Sequence, residues 1–196
     1  MKSNLKTVIF ATMEEASPLI KKLEINQVAE KPFKVFKNDE LVVLIRGIGK
    51  IRAAAACAYA IGEFKGDKIL NAGAAGSLSS NFSIGDVRTI ELVVDYIDIK
   101  PKIKTLKIEG FESAVLLTSD VSILNSDMRK NLSCYELVDM EGFAIAKTAL
   151  IFGKKTALLK IVSDTHENTS KSEIIENIKS VSHLFVDKVV KCIDLL

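Results

Sequence analysis

Short apolar runs rich in β-branched residues alternate along this chain with longer stretches whose apolar positions recur at helical spacing. Residues 7–11, Thr-Val-Ile-Phe-Ala, predict a buried strand. Residues 14–23 predict a helix, with Thr12 as candidate N-cap and Pro18 early enough to be tolerated. Residues 35–37 and 40–45 read as a hairpin about Asn38-Asp39, a pair that accepts positive φ. Residues 50–64 give a strong helical pattern, and the alanines at 53–56 let that helix pack closely. Residues 68–71 predict a short strand running into a small-residue loop at 72–77, and 84–87 a turn before a strand at 89–94. Further strands are expected at 114–118, 137–140 and 156–162, with helices at 142–152 and 172–195. Residues 95–113 carry neither period and predict a hairpin or loop.

This alternation predicts an α/β protein, a three-layer α/β/α sandwich with a central mixed β-sheet, as one domain over residues 1–196. Composition adds that 48% of the residues are hydrophobic, with a mean hydropathy of +0.23. That is apolar for a soluble chain and points to an oligomer interface. No apolar run is long enough to span a bilayer, and the N-terminus leads into a strand without a signal-like segment, so a cytoplasmic protein with no membrane partner is expected. The net charge of +2 is spread along the chain, which argues against nucleic acid as a partner. Lys100-Pro101-Lys102-Ile103-Lys104 reads as a solvated loop. Cys57, Cys134 and Cys192 are odd in number and far apart, which fits a reducing compartment better than disulfides or zinc. Cys57, within the alanine-rich helix, reads as a small core residue.

Candidate chemistry lies where strands end, the usual place for ligands in open α/β proteins. Glu141 stands between a strand and a helix, Asp164 closes a buried strand, and Glu14-Glu15 open the first helix. Each has a plainer reading, as a cap, a turn or a complement to the helix dipole. Gly47-Ile48-Gly49-Lys50 partly mimics a dinucleotide fingerprint, but the third glycine is missing and the next strand ends at Asn71, not at an acid. A tight turn whose amides face an anion or hydroxyl is the remaining reading. Asn71-Ala72-Gly73-Ala74-Ala75-Gly76 would let backbone approach a flat ligand. His166 is a candidate acid/base residue, although a lone loop histidine more often faces solvent. No second histidine completes a metal site, since His183 falls in the last helix.

In this order, these segments, with Gly85-Asp86-Val87, Thr118-Ser119-Asp120-Val121-Ser122-Ile123, Val138-Asp139-Met140-Glu141-Gly142 and Ser163-Asp164, resemble the nucleoside phosphorylase/hydrolase superfamily. The likeness is closer to its 5′-methylthioadenosine/S-adenosylhomocysteine nucleosidases and futalosine hydrolases. The resemblance implies hydrolysis of a purine nucleoside's N-glycosidic bond by a homodimer, with no cofactor and no metal. It implies Asp164 as the general acid toward purine N7 and Glu15 as the residue that positions and deprotonates water. Met140 would line the ribose and Glu141 bind its hydroxyls. Ser122 and Ile123 would meet the purine edge, with Ala74 and Ala75 near sugar and base, and Thr12, Ile48 and Ser163 completing the binding set. Protonating N7 makes the base a neutral leaving group, an aid of about 10²–10⁴-fold. Carboxylates stabilise the oxocarbenium charge left on the ribose. Burial and neighbouring acids are expected to help Asp164 hold its proton.

The chain departs from the family pattern at several points. Thr12 stands where methionine is usual, Ala74 where serine is, and Ser122 where an aromatic often covers the base. Counting from Ala11 places Glu15 on the catalytic position, whereas anchoring on Met13 would place Ala16 there. The stretch from Asp86 to Thr118 is short, which leaves the 5′ substituent open. A phosphorylase is the nearest alternative, for which Arg46 alone offers a thin phosphate site. A non-catalytic nucleoside-binding protein is the other.

Overall fold

The computed structural model describes residues 5–165, 167 and 170–196. Ten strands and five helices are described: β1 Lys6–Phe10, α1 Met13–Lys22, β2 Asn26–Ala29, β3 Lys34–Lys37, β4 Leu41–Ile45, α2 Lys50–Phe64 and β5 Lys68–Ser77. They continue as β6 Val87–Asp95, β7 Lys102–Lys104, β8 Ser113–Thr118, α3 Ser126–Asn131, β9 Leu137–Asp139, α4 Gly142–Ile151, β10 Lys155–Asp164 and α5 Lys171–Leu195.

The strands form one mixed sheet in the order β10-β6-β8-β9-β5-β1-β4-β3-β2, with β7 paired to β6 and β10 also paired to β5. The expected α/β architecture with a central mixed sheet is therefore present. The β5–β10 pairing adds that half of the sheet closes on itself, as a ring of β5, β10, β6, β8 and β9. Alternation along β1 assigns its two faces. Val8 and Phe10 pack with Leu19 of α1 and Phe185 and Val189 of α5, while Ile9 packs with Cys57 and Ile61 of α2 and Ile145 of α4. A third cluster gathers side chains from the ring strands, including Ile90, Val93, Leu116, Leu137 and Leu158, with Ala146 of α4.

Several expectations change. The small-residue segment at 72–77 is not a loop but the second half of the ten-residue β5, held in extended form by β10 alongside. Pro18 lies past the first turn of α1, inside the helix. The solvated-loop reading of residues 100–104 fails for Lys102–Lys104, which pair with β6 and bury Ile103. β2 and α3 are additional elements. Cys57 and Cys192 are buried, which pushes both thiols up to about 12, and Cys134 is exposed. Among the described residues, no helix is long and apolar enough to cross a membrane.

Candidate active site

A cavity of about 370 Å³ opens where β1, β5, β9 and β10 end and where the segment after β8 begins. Thr12 and Glu15 reach it from the β1–α1 turn, and Ala74 and Ala75 from β5. Ser122 and Ile123 line it from the segment after β8, Met140 and Glu141 from the β9–α4 turn, and Ser163 and Asp164 from β10. Ile48 is at its rim, 57% exposed. The catalytic and binding residues assigned from the resemblance therefore all line one cavity, whereas Glu14 is exposed outside it and His166 lies outside the described residues. His183 is exposed on α5.

Glu15 is fixed by the local chain. Thr12 caps α1 in a reciprocal capping box, accepting from the Glu15 amide. Glu15 Oε2 accepts from the amides of Ala11 and Thr12 at 3.1 and 2.9 Å and from Thr12 Oγ1 at 3.1 Å. Its Oε1 accepts from the Ala74 amide at 2.9 Å. The capping residue thus doubles as the link between α1 and β5. A side chain at Gly73 would place Cβ 2.8 Å from Glu15 Oε1, so the glycine makes room for the carboxylate.

Glu141 is the N-cap of α4 and is 6% exposed. Its Oε1 accepts from the Gly49 amide at 2.8 Å and lies 3.4 Å from Arg46 Nη1. Gly47 and Gly49 have φ of +80° and +104°, which only glycine adopts readily. The amide of this turn was expected to face a ligand, but that of Gly49 faces Glu141. Arg46 also donates to the Gly47 carbonyl and lines no part of this cavity.

The preceding acid, Asp139, shapes the turn. Its Oδ1 accepts from Thr118 Oγ1 at 2.7 Å, and its Oδ2 from the Gly142 amide at 2.8 Å and from Lys160 at 2.9 Å. With both side chains 1% exposed, neither charge can lose its partner cheaply.

Asp164 is 4% exposed. Its Oδ1 accepts from Ser163 Oγ at 2.6 Å, and its Oδ2 is ion-paired to Arg129. Its neighbours are therefore a guanidinium and a hydroxyl, not the acids expected from the sequence. A Cβ at Gly76 would lie 2.6 Å from Asp164 Oδ2. The glycines of β5 thus accommodate two carboxylates, where the sequence suggested room for a flat ligand.

Arg129 is the buried basic residue of the cavity wall, and sequence reasoning missed it. It sits on the six-residue α3, too short for a periodic signal. The legible cue was Asn125 as cap with Asp127 in the first turn.

The remaining wall is apolar: Val121, Leu124, Val138 and Ile174, Ile175 and Ile178 of α5, with Lys171 beside them. Among the described residues no group of three or more His, Cys, Asp or Glu is placed to hold a metal. Beside the mouth, Lys50 bridges Asp95 at 2.9 Å and Asp120 at 3.0 Å. Burial draws Lys50 down, but the two carboxylates outweigh it and leave the amine raised. Burial likewise pushes Asp95 up, but Lys50 and the amides of Ile97 and Asp98 outweigh it and leave the acid lowered.

Four carboxylates, Glu15, Asp139, Glu141 and Asp164, line one pocket on a mixed sheet that closes on itself through β5 and β10. The sequence pattern of the phosphorylase superfamily matches residues 7–100 of the chain. The chain is 28% identical over 187 residues to the 5′-methylthioadenosine/S-adenosylhomocysteine nucleosidase of Buchnera aphidicola, covering 80% of this chain and 79% of that one. In fold it is similar to the Helicobacter pylori enzyme of the same name, solved with butyl-thio-DADMe-Immucillin-A. That match has a TM-score of 0.87 and 18% identity and covers 97% and 98% of the two chains. It is similar also to the futalosine hydrolase of Helicobacter pylori, with a TM-score of 0.88 and 17% identity over 99% of each chain.

Proposed function

We propose that this protein hydrolyses the N-glycosidic bond of a purine nucleoside bearing a 5′ substituent. 5′-Methylthioadenosine, S-adenosylhomocysteine and futalosine-type nucleosides are the substrate class. The observation that carries the reading is the convergence of Glu15, Glu141 and Asp164, all buried, on one cavity beside Met140. A water molecule held by Glu15 attacks C1′ and gives up its proton to that carboxylate. The C1′–N9 bond breaks with its electron pair passing to the base, and N7 takes the proton carried by Asp164. Glu141, anchored by Gly49 and Arg46, accepts hydrogen bonds from the ribose hydroxyls. The apolar side chains of α5 and Val121 suit a thioether or another largely apolar 5′ group.

Water rather than phosphate is favoured as the nucleophile because the arginines are already engaged. Arg46 lines no part of the cavity and reaches Glu141 and the Gly47 carbonyl through Nη1, and Arg129 is paired to Asp164, so neither presents an open fork to a phosphate there. The protein acts as a homodimer joined across the apolar surface beside the cavity mouth. Ile51 is 88% and Ile97 77% exposed there, and Lys50 ties their segments together through Asp95.

The deciding assay is release of free base from a panel of nucleosides with different 5′ groups, with and without phosphate. Release from methylthioadenosine or a relative that is unchanged by phosphate is expected. Release only with added phosphate would make the protein a phosphorylase, and binding without release a non-catalytic nucleoside binder.

A further inference from the structure

We propose that Arg129 is a positioning residue, one side chain that holds Asp164 as an ion-paired acceptor and fixes the base-facing loop beside it. The inference rests on the nucleosidase reading and deepens it at the base end of the pocket.

Arg129 is 2% exposed, and all of its donor nitrogens are used. Nε donates to the Ile123 carbonyl at 2.7 Å, Nη1 to the Ser77 carbonyl at 3.3 Å, and Nη2 to Asp164 Oδ2. Because the guanidinium is a rigid planar fork, these bonds fix one geometry. The loop carrying Ser122 and Ile123, the end of β5 and the end of β10 are thereby locked to a single plane. Gly76 leaves the space for it, since a Cβ there would lie 3.1 Å from Arg129 Nη2 as well as against Asp164.

A carboxylate bound to a guanidinium meets a ligand as an acceptor. In this state Asp164 suits a base that brings an N–H to it. Donating a proton to a bare ring nitrogen requires the Arg129–Asp164 contact to open. Opening it also frees the nitrogen plane that holds Ile123, so base seating and the availability of the acid are linked through one residue.

Two adenine analogues differing at one ring position test this. 9-Deazaadenine presents an N–H at position 7, and 7-deazaadenine a C–H. Calorimetric titration should show the wild-type protein binding 9-deazaadenine at least about ten-fold more tightly, the scale of one hydrogen bond to a charged group. Arg129→Met should shrink that preference below about three-fold, while Arg129→Lys, which keeps the charge, should retain most of it. A purely structural arginine would weaken both ligands alike and leave the ratio intact, which overturns the proposal. A wild-type protein that prefers neither base, or binds neither, overturns it as well.

Turnover gives an independent reading. Arg129→Met should lower kcat far more than it raises KM, and adding it to Asp164→Asn should cost less than about three-fold further, because both changes act on the same group. Fully additive losses would refute the link. If the wild-type protein releases no base from any nucleoside, the hydrolytic reading fails, and the binding ratio still decides the role of Arg129.

Discussion

Glu15 and Asp164 each stand against a glycine of β5, in the space a side chain would fill. That arrangement makes the position of each carboxylate a property of the backbone. Gly73→Ala should therefore push Glu15 off its contacts with Ala11, Thr12 and Ala74 and slow base release on the order of 10²-fold, the usual cost of about 1 Å of misplacement. A circular dichroism melt alongside the assay should show the fold retained. Direct loss of the groups should cost at least as much. Asp164→Asn and Glu15→Gln are each expected to reduce release by about 10²–10⁴-fold in steady-state assays, and wild-type turnover in Asp164→Asn would remove it from the mechanism. At this scale the sequence was informative where a residue stood at the end of a recognisable strand, as Glu141 and Asp164 do. It was silent on Arg129, whose place in the site depends on α3 folding under the Ile123 loop. It misjudged the company of Asp164, because a partner 35 positions away leaves no local mark.

The turn Gly47–Gly49 and helix α2 show how one element serves two surfaces. Its amide holds Glu141 inward, while Lys50, the next residue, holds Asp95 and Asp120 at the rim. The acid in this bridge is lowered on folding, so its stabilisation is complete above the unfolded value of about 3.9 and is lost as pH falls through the lower folded value. The raised amine contributes below about 10.4 and loses its contribution as pH rises through its higher folded value. Asp95→Asn should accordingly lower the melting temperature at neutral pH, with the gap from wild type narrowing below about pH 3.9. A gap constant from pH 7 to pH 3 would show the bridge to be idle. Among the elements, α2 matched its helical pattern end to end, because fifteen residues carry a clear period. β5 was read as less than half its length, since alanine and glycine have weak strand preference and only pairing with β10 extends them.

For the whole molecule, the alternation of strands and helices made the layered α/β architecture legible, whereas the closure of the ring was not. Strand order is set by partners remote in sequence, and no local pattern encodes that β10 returns to β5. Quaternary structure is governed by surface that the fold leaves uncovered. Ile51, Ile97 and Val121 are more than half exposed around the bridge at the cavity mouth, and an interface there would cover them and shelter the pocket. Sedimentation equilibrium is expected to give a dimer for the wild-type chain and a monomer for Ile51→Asp. A wild-type monomer at micromolar concentration would exclude this arrangement.

The ring also dictates an order of events in synthesis. β5 and β6 leave the ribosome long before β10, which pairs with both of them. Until β10 arrives, each of those strands has an edge open to a wrong partner, the usual opening for aggregation. The same late strand ends in Ser163 and Asp164. A nascent or misassembled chain with an open ring therefore also lacks its proposed acid, so the pocket gains that residue only in chains whose fold has closed.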